Sequence, residues 1–421
     1  MPRNRHSVRI GRRYRPSRVA GPYDALVVGS GIGGLTAAAC LAKMGRRVCV
    51  LEQHYTAGGF THAYEREGYD WDVGVHYIGD MGSERTLGRR LFDYITEGKL
   101  EWAPMDDHFD RVFLGEEHYD LVAGKPEYRD ALVAAFPREE AAIDRYLELM
   151  RSAREATRLA TLQKILPGWI GRVLGAWLGR RIPADVYRTT REVLEGLTRD
   201  QKLIAVLTGQ WGDCGLPPAR SSFLIHSLIA QHYMHGGYYP VGGASRMAET
   251  IVPVIQAAGG EVFTYAEVQR IRVGPKGVEG VEMVDGQAID APVVISDAGV
   301  FNTFERLLDD SVPGKQAYLE RLRRVRPSMA SVCLYIGLRK TAAELDLPKT
   351  NFWIYPSEHY ERELEVLERG PEAPPPLIYI SFPSAKDPDF ERRRPGRATI
   401  EIVAPGPYEW FERWAGTTWG K

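Results

Sequence analysis

One stretch near the start of the chain, VVGSGIGGLTAAACLAKMGRRVCVLEQ at positions 27–53, constrains the fold more than any other feature. The apolar run DALVV predicts a buried parallel strand, and it leads directly into the glycine-rich turn GSGIGG. The segment LTAAACLAKMG is typical of a helix that a glycine ends, and RRVCVLE predicts a second strand. Strand, glycines, helix and strand in this order predict a Rossmann-type dinucleotide-binding unit in an α/β fold.

The residues of this unit have separate roles in holding a dinucleotide. Gly29 permits the tight turn, Gly31 lets the backbone approach a pyrophosphate, and Gly34 lets the helix pack against the strand. The N-terminus of the helix adds amide groups and a favourable dipole. Glu52, at the end of the second strand, can accept hydrogen bonds from ribose hydroxyls. We therefore predict that the dinucleotide is bound by Gly29, Ser30, Gly31, Gly33, Gly34, Glu52 and Gln53.

The residues after the second strand favour FAD over NAD as the dinucleotide. The acidic Glu52 is compatible with either, but Gly58 and Gly59 follow it closely, and DVGVHYIG comes at 72–79. A glycine pair after the strand resembles the extended nucleotide motif of glutathione-reductase-type flavoproteins. In that group the pair lets the chain pass close to the flavin's ribityl chain and phosphate. A second GxGxxG is missing from the sequence, so we expect no dedicated nicotinamide domain.

Several motifs together resemble the phytoene desaturase and carotenoid isomerase superfamily, and within it the retinol saturase-type branch. They are the glycine-rich stretch, DVGVHYIG, ISFPSAKDP at 380–388 and YEWFERW at 408–414. The segments GGYYPVGGASRMAETIVPVIQAAGGEV and VVISDAG are similar to the parts that lead back into the family's FAD domain. The resemblance implies a Rossmann-type, amine-oxidase-like FAD domain with an inserted substrate domain of sheet and helices. It also implies that the backbone of Val268 meets the adenine.

The resemblance further implies an FAD-dependent oxidoreductase that exchanges hydride between flavin and a carbon–carbon double bond of a lipophilic polyene. His76 and Tyr77 are candidate proton donors, because VGVHYIG should lie near the flavin. Weaker candidates are His232, His235, Tyr238 and Tyr239. Saturation, desaturation and cis–trans isomerisation all remain open. The reductant could be transiently docked NAD(P)H, another donor or the substrate itself.

A binding protein without chemistry is the alternative from another class. Proteins that resemble the GDP-dissociation inhibitors of Rab GTPases share this ancestry and bind a prenylated partner. The intact glycine fingerprint with Glu52 argues against that interpretation. Members of the superfamily also carry a late glycine-rich segment that closes over the flavin. No such segment precedes Lys421, so the resemblance implies a chain truncated within its FAD domain.

Five segments are expected along the chain. They are a basic, disordered arm (1–21), the FAD-binding Rossmann unit with the strands after it (22–124), a largely helical substrate-domain segment (125–235), the return to the FAD domain (236–300), and a substrate-domain sheet with helices (301–421).

Charge and composition narrow the classes of partner and the cellular location that we expect. A net charge of −1 provides no overall attraction to nucleic acid or anionic lipid, although seven arginines fall in the first 21 residues. The four cysteines include no CxxC pair, so we expect no metal site and a reducing, cytoplasmic location.

No apolar run in the sequence reaches 18 residues. The segment ILPGWIGRVLGAWLGRR at 165–181 predicts an amphipathic helix that covers the substrate cavity or, less favoured, contacts a membrane surface. The oligomeric state is left open.

Overall fold

The computed structural model describes residues 9–170, 183–326 and 328–417. The strands are, in chain order, β1 (Arg12–Arg13), β2 (Ala25–Val28), β3 (Val48–Leu51), β4 (Ala63–Arg66), β5 (Tyr69–Asp72), β6 (Ile78–Gly79), β7 (Trp102–Pro104), β8 (His108–Leu114), β9 (Glu117–Val122), β10 (Gly237–Pro240), β11 (Glu261–Thr264), β12 (Val268–Gly274), β13 (Gly277–Met283), β14 (Ala288–Asp290), β15 (Val294–Ser296), β16 (Ser331–Leu338), β17 (Asn351–Tyr355), β18 (Ile378–Ser381) and β19 (Ala398–Pro405).

The helices are, in chain order, α1 (Ile32–Lys43), α2 (Leu87–Thr96), α3 (Lys125–Ala135), α4 (Glu140–Ile165), α5 (Thr190–Glu195), α6 (Gln201–Leu207), α7 (Trp211–Cys214), α8 (Phe223–Tyr233), α9 (Arg246–Ala257), α10 (Lys315–Leu322), α11 (Tyr360–Leu364), α12 (Pro383–Lys386) and α13 (Phe390–Arg393).

A parallel sheet with the strand order β1-β11-β3-β2-β15 forms the first layer. Every residue of β2 and β3 is buried, as expected for strands that are covered on both faces. Helices α1 and α9 pack together against one face, and their alanines and branched aliphatic residues form a common core with the sheet. The predicted Rossmann-type unit is confirmed.

The arm before this sheet differs from our expectation. Residues 9–21 are ordered, because Arg12 and Arg13 add a parallel edge strand beside Phe263 and Thr264 of β11. The amide of Ile10 also donates to the Thr56 hydroxyl at 3.0 Å. Backbone pairing with an open sheet edge outweighs the repulsion among exposed arginines, so the expectation of a disordered arm is wrong for these residues.

A six-stranded mixed sheet, ordered β16-β19-β18-β17-β8-β9, forms the second layer. Four of its strands, β16 to β19, lie within residues 301–421. Only β17 and β8 are parallel to each other; the remaining neighbours are antiparallel. Residues of α3, α4 and α5 to α8 join it in one large apolar core, which contains the fully buried Trp211 and Tyr146. This core surrounds the cavity described below.

Much of the amphipathic segment expected at 165–181 lies outside the described residues, since positions 171–182 are not described. Its first part follows directly on α4, which ends at Ile165, and Trp169 is exposed there. Within the described ranges, we find no helix that combines the length and the apolar character needed to cross a membrane.

Candidate functional site

The glycine-rich turn has the geometry that a dinucleotide needs. Gly29 has a φ of +96°, which a residue with a side chain rarely adopts. Helix α1 begins directly after Gly31 and has no side chain capping its N-terminus. Those amide groups are therefore available for an anion, together with the helix dipole. A Cβ on Gly34 would lie 2.6 Å from the Gly29 carbonyl oxygen, so only glycine allows this close approach of helix and strand.

An aspartate that our sequence reasoning missed packs against the same turn. Asp297 follows β15, and its amide donates to the carbonyl of Val28 at 2.7 Å. A Cβ on Gly31 would lie 2.5 Å from its Oδ2 atom, and a Cβ on Gly33 would lie 2.9 Å from its Oδ1 atom. A side chain at Gly31 or Gly33 would therefore force the Asp297 carboxylate to move. The position of Asp297 in VVISDAG was visible in the sequence, but its contact with the glycine-rich turn depends on the pairing of β15 with β2.

The glycine pair lies beside the turn, as the flavoprotein motif requires. The Gly58 amide is 3.0 Å from the Ser30 carbonyl oxygen, and a Cβ on Gly59 would lie 2.8 Å from the Gly31 Cα. Both glycines have positive φ. The next residue, Phe60, packs against Gly74, whose Cβ would lie 3.0 Å from the Phe60 Cβ. This chain of contacts connects the glycine-rich turn to the cavity, which Gly74 lines.

The Glu52 carboxylate is held in place by the backbone around it. Its Oε2 accepts from the amide and hydroxyl of Ser30 at 2.8 and 2.7 Å, and its Oε1 accepts from the His54 amide at 2.7 Å. Two carboxylate oxygens offer about four acceptor positions, so one is left for a ribose hydroxyl. Gln53 is exposed beside it. Val268 begins β12 two residues after Ala266, whose amide donates to the Glu52 carbonyl at 2.7 Å.

A cavity of 180 Å³ lies between the six-stranded sheet and helices α7 and α8. Its walls are mostly aromatic and aliphatic, with few polar groups. The lining residues include Gly74, His76, Tyr77, Asp213, Tyr233, Met329, Trp353, Leu377, Tyr379 and Val403. The Tyr77 and Tyr233 rings stack with centroids 4.2 Å apart, and Trp353 and Tyr379 are 4.6 Å apart. Such a cavity suits a flat, apolar ligand.

The two sequence-predicted proton donors both line this cavity. The His76 Nδ1 atom is 2.7 Å from the Glu401 Oε2 atom, and burial lowers the pKa of His76 to about 4. Its imidazole is therefore neutral near pH 7. The Tyr77 hydroxyl donates to Asp110 at 2.7 Å, and burial raises its pKa well above the usual value for tyrosine. A role for either as proton donor stays a prediction.

The other candidates from the same part of the sequence lie elsewhere. His232 accepts from the Gly79 amide at 2.8 Å, and His235 is exposed. The Tyr239 hydroxyl donates to Asp72, which is buried on the far side of Glu401. These three residues do not line the cavity.

A buried polar network that the sequence did not reveal extends from the cavity into the sheet. The Lys386 ammonium donates to the Asn351 side-chain oxygen, to the Ser381 hydroxyl at 2.8 Å and to the His76 carbonyl at 3.1 Å. Asn351 in turn donates to Asp110 at 2.8 Å. Burial lowers the pKa of Lys386 to about 7 and raises that of Glu401 to about 8. The network therefore places several titratable groups near neutrality at one wall of the cavity.

The comparison of folds and the geometry of the glycine-rich turn define the structural class of this protein. Residues 27–95 match the family model of the NAD(P)-binding Rossmann-like domain. The fold is similar to that of a putrescine oxidase variant from a redesign of cofactor binding. The TM-score is 0.59 at 16% identity, over 94% of this chain and 78% of that one. The molecule shares this mixed α/β fold, and its Rossmann unit suits a flavin-type dinucleotide.

Sequence similarity narrows the class to one family. The chain is 40% identical over 422 residues to all-trans-retinol 13,14-reductase of Rattus norvegicus, covering 96% of this chain and 69% of that protein. It is 25% identical over 403 residues to a zeta-carotene-forming phytoene desaturase of Myxococcus xanthus, covering 91% and 72%. The chain belongs to the all-trans-retinol 13,14-reductase family, and the resemblance inferred from its motifs is confirmed.

Proposed function

We propose that this protein is an FAD-dependent oxidoreductase that reduces a carbon–carbon double bond of a retinoid-like polyene. The observation that carries the proposal is the continuous path of contacts from the glycine-rich turn, through Gly59, Phe60 and Gly74, to an aromatic cavity. The proposed dinucleotide site and the proposed substrate cavity would thereby be neighbours. The relatives named above, which act on retinol and on carotene precursors, support the same substrate class.

The residues at the turn fit FAD. The uncapped N-terminus of α1 and the glycines would hold the pyrophosphate, and the remaining acceptor position of Glu52 would bind a ribose hydroxyl. The positive φ of Gly58 and Gly59 brings backbone to the place where the ribityl chain would pass. The bound flavin would supply hydride chemistry, which is intrinsic to that cofactor. NAD(P)H docked transiently is the electron donor we would test first.

The cavity residues would bind and orient the polyene and exclude water. The stacked Tyr77 and Tyr233 rings form one wall, and Trp353 with Tyr379 forms another. Flat walls of this kind pack against a conjugated chain over a large area. The few polar groups at the wall are in place to hold or move a proton.

A flavin spectrum of the purified protein, taken after incubation with FAD, tests the cofactor. We expect a yellow protein, and we expect Gly31→Val and Glu52→Ala to lose the flavin. Glu116→Ala, at an exposed turn, is the matched control and should retain it. Unchanged flavin occupancy in both site variants would refute the assigned site.

A turnover assay tests the reaction. With all-trans-retinol under anaerobic conditions and a chemical or NAD(P)H reductant, we expect a blue shift of the absorbance because one conjugated double bond is lost. Desaturation is the second candidate, favoured by the similarity to the phytoene desaturase, and it would instead shift the spectrum of a carotene precursor to the red. A colourless protein that fails to take up FAD and converts neither substrate would overturn both.

A further inference from the structure

One carboxyl group in the cavity is not explained by the cofactor site or by the sequence motifs. Asp213 lies on the four-residue helix α7, in the sequence GQWGDCG. It is the one carboxylic acid among the described residues that line the cavity. Its side chain is accessible because it faces this space. A lone acid among aromatic rings, where a polyene would bind, calls for a chemical explanation.

The local sequence brings Asp213 to the cavity through small residues and one large anchor. Trp211 is buried and fixes α7 in the apolar core. A Cβ on Gly212 would lie 2.7 Å from the Trp353 ring, so glycine lets the helix approach that cavity wall. Gly215, with a φ of +70°, ends the helix at once. The arrangement places the exposed Asp213 in the lining of the cavity.

A second carboxyl shares hydrogen-bonding groups with the first. The Tyr77 hydroxyl donates to the Asp110 Oδ2 atom at 2.7 Å and also lies beside Asp213. The Gln210 amide, next to α7, reaches the same Asp110 oxygen at 2.6 Å. With Asn351 on its other oxygen, Asp110 accepts three hydrogen bonds. Hydrogen bonds to a carboxylate favour its ionised form, so Asp110 is the better site for the negative charge.

The surroundings of Asp213 favour its protonated form. Burial raises the pKa of Asp213 to about 7, the neighbouring Asp110 charge adds to the rise, and hydrogen bonding to Tyr233 and Tyr77 opposes it. Burial also raises the pKa of Asp110 to about 6, while its three hydrogen bonds and the Lys386 charge oppose the rise. The other titratable groups facing the pair are Tyr379, Tyr355, Cys214 and His76. Two interacting carboxyls titrate together, and near neutral pH the pair keeps one proton.

We propose that Asp213 is the catalytic acid of this enzyme and donates the proton that completes reduction of the double bond. The inference rests on the proposed function. Reduction breaks one π bond and forms two C–H bonds. One carbon would receive a hydride from a reduced flavin, whose oxidation would supply the two electrons, and its neighbour would receive the proton of the Asp213 carboxyl. The resulting carboxylate regains a proton from solvent. Tyr77 and Asp110 are positioning residues that keep the proton on Asp213.

Infrared spectroscopy tests the protonation without flavin or substrate. Because Glu401 and Asp72 also keep a proton near neutral pH, we read the Asp213 band from the difference spectrum between the wild-type protein and Asp213→Asn. We expect this difference spectrum to contain a protonated-carboxyl band that disappears as the pH rises through about 7. Asp110→Asn should move the titration of that band to lower pH, because the neighbouring charge is gone. Asp130→Asn, on the exposed side of α3, is the control and should leave the band unchanged. Absence of a band that titrates near neutrality would overturn the assignment.

Single-turnover oxidation of the reduced flavin by retinol tests the catalytic role. We expect Asp213→Asn to slow this step by about 10²–10⁴-fold, the usual contribution of a positioned acid, and to remove the loss of rate above about pH 7. Flavin content, retinol affinity and thermal unfolding should stay near wild type. Asp213→Glu should restore part of the rate, which a purely structural role would not require.

Failure of this inference can be distinguished from failure of the proposed function. A rate for Asp213→Asn within about threefold of wild type, with the same pH profile, would overturn this inference and leave the proposed function standing. A wild-type protein that binds flavin and never oxidises it with a polyene would overturn the proposed function, and the catalytic role of Asp213 with it.

Discussion

The glycine-rich turn and the cavity differ in what they are made of. The turn consists of backbone amides and of glycines, which lack side chains, within one short stretch, 29–34. Glu52 follows at the end of the next strand. The cavity wall and the polar network behind it use side chains from distant positions, with Tyr77 at the wall and Lys386 and Glu401 behind it. At the cavity wall, His76 and Tyr77 are held by Glu401 and Asp110, which distant segments supply. The turn should therefore tolerate changes elsewhere in the chain, whereas the cavity network should fail when any member is removed.

The largest effect on stability is expected from Lys386→Met. The ammonium is buried and donates three hydrogen bonds, so its loss leaves three buried oxygens without a donor and removes the positive charge near Asp110 and Glu401. We expect urea unfolding to show a loss of about 2–5 kcal/mol. Lys276→Met, in an exposed hairpin turn, should change stability by less than about 0.5 kcal/mol. A loss of less than about 1 kcal/mol in Lys386→Met would mean that the network contributes little.

A smaller effect is expected at the turn, from Gly31→Ala. The three atoms nearest to the new Cβ would all belong to Asp297, so we expect a steric cost of about 1–3 kcal/mol in urea unfolding together with loss of flavin. Adding Asp297→Ala removes the clash and should restore stability, because the φ of residue 31 suits alanine. If the double variant still lacks flavin, the ligand itself requires glycine. Recovery of flavin would instead show that Gly31 serves the packing of Asp297 alone.

A pH dependence of stability is expected in Glu401→Gln. Burial raises the pKa of Glu401 from 4.5 to about 8, so the folded protein keeps a proton that the unfolded chain releases. This stabilisation is complete below about pH 4.5 and is lost as the pH rises toward 8. Glutamine stays neutral throughout. Relative to wild type, the unfolding free energy of Glu401→Gln should therefore increase across this range, and a pH-independent difference would contradict the assignment.

The motif ISFPSAKDP illustrates how far sequence reasoning reached. It pointed to the family, and the residue Lys386 within it was in plain view. Its role could not be inferred, because its acceptors come from β17, from β18 and from the loop before β6. His76 and Tyr77 were singled out as candidate proton donors near the flavin. They line the cavity, and their role as proton donors stays a prediction. The pKa of His76 could not be anticipated, since burial sets it and burial is a property of the folded chain.

The sequence by itself determined the Rossmann unit, the positions of its glycines, the acidic end of its second strand and the membership of a family. Those features depend on residues that are close together in the sequence, so the local backbone conformation is enough to produce them. Only the tertiary structure decided that Asp297 packs on the turn, that the arm at 9–21 extends the sheet, and that Asp213 faces the cavity beside Asp110. These features arise from strand pairing and helix packing between distant segments. The same packing excludes water, which would otherwise keep the pKa values of the buried acids near their usual values.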